Sequence, residues 1–199
     1  MHASRFSEDA AAPFTRSAVD APRRASTIVR TPYVATRGVP AMHLYQRLPI
    51  FVFEIEACEN LKYITMAIRF NLDRNGLHLS LADWQRLPQE ARNTLASCVP
   101  GDDDFAARLA EIARDHLGQA VERCEDAAST AWQDTNALPP GLLRQCEMAD
   151  LLPPDVGDWA TLTPFRRYVL TKLSRRDTLN HCFVPAMLEF GLAQTQAGI

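Results

Sequence analysis

The pattern D-W-x-x-L-x-x-x-x-R-x-x-L occurs twice, at Asp83–Leu95 and at Asp158–Leu170, displaced by 75 residues without a gap. On the same offset Arg69 aligns with Arg144, and Thr65 aligns with Pro140, a residue at home in the first turn of a helix. Two such units read as helical pseudo-repeats, each a helix, a tight connection, a short helix carrying tryptophan, and a second helix. Ser80, three residues before Asp83, and Asp155, three before Asp158, supply capped starts for the tryptophan helices. Pro88 and Pro164 stand where the next helix would begin. The expected fold is mainly α, a single compact helical domain, because either unit alone is too small for a stable core.

The remaining segments attach to this frame. Residues 50–56 are β-branched or aromatic with alternation developing at the end, and read as a short N-terminal strand or an extended arm packed on the core. Over residues 61–75 strand and helix periods compete, but Leu61, Ile64, Ile68 and Leu72 share one helical face and the internal comparison favours helix. Gly76 followed by Leu77 resembles a left-handed helix end with its hydrophobic partner. Asp102, Asp103 and Asp104 open a helix with the stripe Phe105, Leu109, Ile112, Ala113, Leu117 and Val121. Residues 125–141 read as a polar, proline-containing linker, and Pro185 starts a short helix that runs through Phe190 and stops at Gly191.

Of the 199 residues, 47% are apolar and 23% charged, which excludes a wholly disordered chain or a fibrous repeat. No apolar run approaches the roughly 18 residues that span a bilayer, so no membrane partner is expected. Residues 1–48 carry seven arginines against Glu8, Asp9 and Asp20, a net +4, whereas residues 49–199 carry 14 basic and 21 acidic residues, a net −7. So acidic a body repels phosphate backbones and disfavours nucleic acid as a partner. The arginine-, alanine-, serine- and proline-rich segment 1–48 reads as a disordered tail, with Met42 a possible alternative start. Glu8 and Asp9 sit badly in a transit peptide, and Arg30 interrupts the apolar stretch after Arg23-Arg24 that an export signal needs. Five scattered cysteines without a CxxC read as reduced thiols, and the expected compartment is cytoplasmic.

Chemistry-bearing patterns are sparse. No two of the five histidines lie three or four residues apart, so no helical metal face exists, and no P-loop or GxGxxG nucleotide motif occurs. No acid is clearly placed to orient His116 toward Cys124, and the aspartate run at 102–104 is explained by capping. A non-enzyme without cofactor or metal is expected. The positive cluster of the acidic body is Arg166, Arg167, Lys172, Arg175 and Arg176. Spacing places Arg167 with Arg175, and Lys172 with Arg176, on similar helical faces. Two readings stay open: solvated cations favoured by a helix C-terminus, or a docking patch for an acidic partner or anionic cofactor. Trp84 and Trp159 are read as core plugs or, in a sharper version, as the lining of a groove between the pseudo-repeats.

With these segments in place, the chain resembles the nitrate reductase-associated protein family. The likeness lies in FVFEIEA at 51–57, in MAIRFNLDRNGLHLSLADWQRL at 66–87, in WATLTPFRRYVLTKLSR at 159–175 and in NHCFVPAMLEFGL at 180–192. The chain departs from the family pattern at Tyr63, Thr65, Asn71 and the Arg176-Asp177 pair. The resemblance implies a non-catalytic accessory or maturation factor of the molybdenum-dependent assimilatory nitrate reductase, a molybdopterin enzyme, acting by protein–protein binding. Its partner would be that reductase or its maturation machinery, met through the basic cluster or the tryptophan groove. The rival from another class is a helix-turn-helix-like transcriptional regulator of nitrogen assimilation, its two-helix units serving as the reading elements.

Overall fold

The computed structural model describes residues 48–124 and 130–193, so the expectation of a disordered tail over 1–48 falls, except for Leu48, outside the described residues. Eight α-helices and one two-stranded antiparallel ribbon make up the regular structure of that part. The chain is mainly helical. Helix α1 (Met66–Arg74) starts at Thr65, whose hydroxyl accepts from the Ile68 amide, and ends before Gly76, which takes the left-handed φ of +59°. That turn delivers β1 (Leu77–His78), paired with β2 (Glu122–Arg123) in the register Leu77 opposite Arg123. Between them lie α2 (Leu81–Arg86), α3 (Gln89–Ala96) and α4 (Phe105–Leu117). Beyond them follow α5 (Pro140–Met148), α6 (Val156–Thr161), α7 (Pro164–Leu173) and α8 (Phe183–Glu189).

The tryptophan helices form where capping chemistry places them. The Ser80 hydroxyl accepts from the Asp83 amide at the head of α2, and the Asp155 carboxylate accepts from the Asp158 amide at the head of α6. Each helix is six residues long, and each stops at an extended leucine, Leu87 (φ −64°, ψ 140°) or Leu162 (φ −63°, ψ 146°). Two core clusters result. Trp84 packs with Ile68, Leu72, Leu95, Phe105 and Leu109, and Trp159 with Phe70, Leu142, Leu170, Phe183 and Met187. Helix α1 supplies both, giving Ile68 and Leu72 to one and Phe70 to the other.

Three local expectations are corrected, and one pair of alternatives is decided. Of the two readings of residues 50–56 the packed arm holds and the strand does not: Val52–Glu54 is a 3-10 turn in an arm packed on the core. Its amides are taken by carboxylates, Phe51 N–H by Glu54 and Val52 and Phe53 N–H by Glu189, which removes the donors a strand would use. The described part of the expected linker is not a free tether either. Thr130–Gln133 forms a 3-10 turn whose Trp132 ring packs on Phe70 and Tyr168 at 5.4 and 6.2 Å, while residues 125–129 lie outside the described part. At α4, Asp104 makes no side-chain cap; Asp102 instead accepts from the Asp104 amide at 3.0 Å and faces Arg108. Helix α8 begins at Phe183 rather than at Pro185, which occupies its first turn, where the missing amide costs nothing. Among the described residues no helix is long and apolar enough to cross a membrane.

Candidate functional site

The expected basic cluster is carried by α7 and the turn after it, and the fold divides its members. The Thr163 hydroxyl caps α7 by accepting from the Arg166 amide, and Pro164 fills the first helical position. This fixes the rotation of the helix, and with it the fate of two adjacent arginines. Arg167 turns inward and is 7% exposed. Its Nε donates to the Trp132 carbonyl at 2.9 Å, and its Nη1 donates to the carbonyls of Ala160 and Leu162. It ties the Trp132 turn to the α6–α7 connection, and is therefore withdrawn from the docking patch.

Lys172 is also engaged. Its Nζ lies 2.7 Å from Asp73 Oδ2, the same oxygen that accepts from the Tyr168 hydroxyl at 2.6 Å. Burial, and then the bond to Asp73, push the Tyr168 phenol far above its usual range, so it stays a donor. The trio bridges α1 and α7, and two of its members, Asp73 and Tyr168, line a cleft of about 390 Å³ together with Phe70 and Trp132. Three members of the cluster reach the surface. Arg175 and Arg176 are exposed, and Arg166 is half-buried with its guanidinium 5.2 Å over the Phe190 ring.

The tryptophan groove does not form. Trp84 and Trp159 have no exposed surface and sit in separate clusters. The Trp84 indole donates to the Leu61 carbonyl and the Trp159 indole to the Asp134 carbonyl, each at 2.8 Å. Both plug the core, each satisfying its one polar atom there.

Around Arg166 the structure assembles what sequence reasoning missed. Phe51 stacks on Phe165 at 5.1 Å and meets Phe190 edge-on at 4.9 Å, with Phe53 beside it at 5.4 Å. The Glu189 carboxylate clasps the arm from below, and next to it Val52 and Leu188 are 71% and 60% exposed. The signal was in the sequence: Phe183, Ala186, Met187 and Phe190 form the inward stripe of α8, and Leu188 falls off it. The result is an apolar face with one guanidinium at its edge, the residue mixture that anchors protein interfaces.

Titratable groups are tuned by burial. Burial pushes the Glu54 carboxyl from its ordinary 4.5 up to about 7, although it accepts from the Met66 amide at 2.7 Å and the Phe51 amide at 3.2 Å. It is 6% exposed and engaged in holding the arm to α1. Burial likewise pushes the Cys58 thiol up to about 12 and Cys146 up to about 11, and raises Cys98 and Cys182, so these four sulfurs are held protonated. Among the described residues no group of three or more metal-ligating side chains comes together.

No curated protein and no solved structure matches the chain. A family model described as conserved nitrate reductase-associated protein matches residues 50–190, from the aromatic arm through α8. That span contains the arm, all eight described helices, both core tryptophans and Arg166, and the chain belongs to the conserved nitrate reductase-associated protein family.

Proposed function

We propose that this protein is a non-catalytic accessory or maturation factor that binds the molybdenum-dependent nitrate reductase in the cytoplasm. The observation that carries the reading is the family match over residues 50–190, which takes in the arm and all eight described helices. The surface supports it, since the half-exposed aromatic arm, Val52, Leu188 and Arg166 form one apolar face with a cation at its rim. Arg175 and Arg176 extend the positive charge beyond the end of α7. The rival regulator would need exposed cations on the second helix of each two-helix unit. There Arg92 gives a guanidinium donor to the Leu61 carbonyl and Arg167 gives its donors to three others.

Purified full-length chain titrated against purified nitrate reductase tests the proposal by calorimetry. Binding is expected, with Leu188→Asp and Arg166→Glu each weakening it roughly tenfold or more while helicity is unchanged. Absence of any complex, with or without molybdenum cofactor loaded in the reductase, overturns the accessory reading. A salt-titrated DNA-binding measurement on the same preparation is the test that would install the rival.

A further inference from the structure

Helix α4 turns Phe105, Leu109 and Ala113 into the core. Beside that face Ala106 and Ala110, one turn apart, form one wall of a groove. Leu77 of β1 and Val121, which leads into β2, form the other, and the groove measures about 530 Å³. Among the described residues its lining holds two guanidiniums, Arg114 and Arg123, and no carboxylate, within residues 49–199 whose net charge is −7.

The other guanidiniums of this half have partners. Arg74 faces Asp103, Arg86 faces Asp83 and Arg108 faces Asp102, while Arg69 and Arg92 donate to the carbonyls of Ile64 and Leu61. Among the described residues Arg114 and Arg123 join none of the ion pairs. Two such cations beside an apolar trough make a charge complement for carboxylates on an incoming segment. The small Ala106 and Ala110 side chains allow a second helix to approach α4 at the short end of the usual 8–10 Å interaxial range.

We propose that this groove docks an acidic amphipathic helix of the partner protein, its apolar face against Ala106 and Ala110 and its carboxylates against Arg114 and Arg123. The inference rests on the accessory role above and adds a second contact region and the chemistry of what fills it. Full-length chain, its Arg114→Glu/Arg123→Glu variant and its Ala110→Trp variant are titrated against purified nitrate reductase. All three positions are exposed, so folding is checked by matching urea midpoints. Both variants should bind roughly tenfold or more weaker, and the charge-reversed one should gain rather than lose affinity as salt is raised. A photocrosslinker at position 110 should mark a glutamate- or aspartate-bearing helix of the reductase.

If the unmodified chain binds and both variants bind equally well, the groove inference falls and the accessory role stands. If the unmodified chain does not bind, both fall. A crosslink to a second copy of this chain, or to a segment without carboxylates, overturns the groove assignment.

Discussion

Arg166 and Arg167 are neighbours of identical chemistry, and the fold gives them opposite work. Replacing Arg167 by Met strands the carbonyls of Trp132, Ala160 and Leu162 and should cost about 2–3 kcal/mol in urea unfolding. Arg166→Met should cost less than about 1 kcal/mol, because it loses a ring contact at the surface. Equal losses would mean that Arg167 is not a keystone. Sequence spacing could not separate the pair, because α7 is buried around most of its circumference from Arg167 to Leu173, which leaves no polar face to read. Glu54 gives a second test. Its native pKa is raised, so between about pH 4.5 and 7 the folded chain holds a proton that the unfolded chain has lost. This group's contribution is therefore fully present below that window and falls by about 3 kcal/mol as pH rises through it. Wild type should lose stability relative to Glu54→Gln between pH 5 and 8, and parallel profiles for the two would refute the shift.

At the scale of elements, helix boundaries set by local chemistry were legible and those set by distant partners were not. The starts of α2 and α6 follow from Ser80 and Asp155 alone, three residues ahead of the amides they accept from. The arm looked like a strand because Phe51, Val52 and Phe53 have strand propensity; Glu189, more than 130 residues away, overrides it by taking two of its amides. Trp132 was hidden for a similar reason: a polar stretch concealed one aromatic that the α1–α7 junction needed. The proposed contact patch was partly legible, in Arg166, Arg175 and Arg176, while Val52 and Leu188 became a surface only once the arm lay on α8. Asn71, one of the departures from the family pattern, is buried and pins the α3–α4 loop by donating to the Val99 carbonyl and accepting from the Gly101 amide. Helix α5 supplies an element-scale prediction. Gly→Ala inside a helix ordinarily gains up to about 1 kcal/mol, but a Cβ at Gly141 would lie 2.5 Å from the Ser174 carbonyl oxygen. Gly141→Ala should therefore lower the melting temperature by several degrees, and a rise would show that α5 and the end of α7 are not packed backbone to backbone.

For the whole described fold, the shared helix decides cooperativity. Helix α1 contributes to both core clusters and is tied to α7 through Asp73, so neither cluster can melt while the other keeps its full lining. Variants retaining only Trp84 or only Trp159 as the fluorescent reporter should give coincident urea midpoints within each protein when compared with circular dichroism. Separated transitions would show two independently folding halves. Removing Asp73 should weaken the bridge by about 2 kcal/mol, because it strands the Tyr168 hydroxyl and the Lys172 ammonium together.

The clasp between the first and last elements has a practical reach. Because Glu189 holds Val52 and Phe53, and Phe51 stands edge-on to Phe190, the described fold begins and finishes on one side of itself. A circularly permuted chain joining that finish to that beginning through a short linker, and reopened between α4 and α5, should keep the fold. Fusion partners joined directly at Leu48 or Ala193 would, by the same geometry, crowd the Val52–Leu188 face, and labels for interaction work belong on the exposed start of α3, at Gln89 or Glu90, instead.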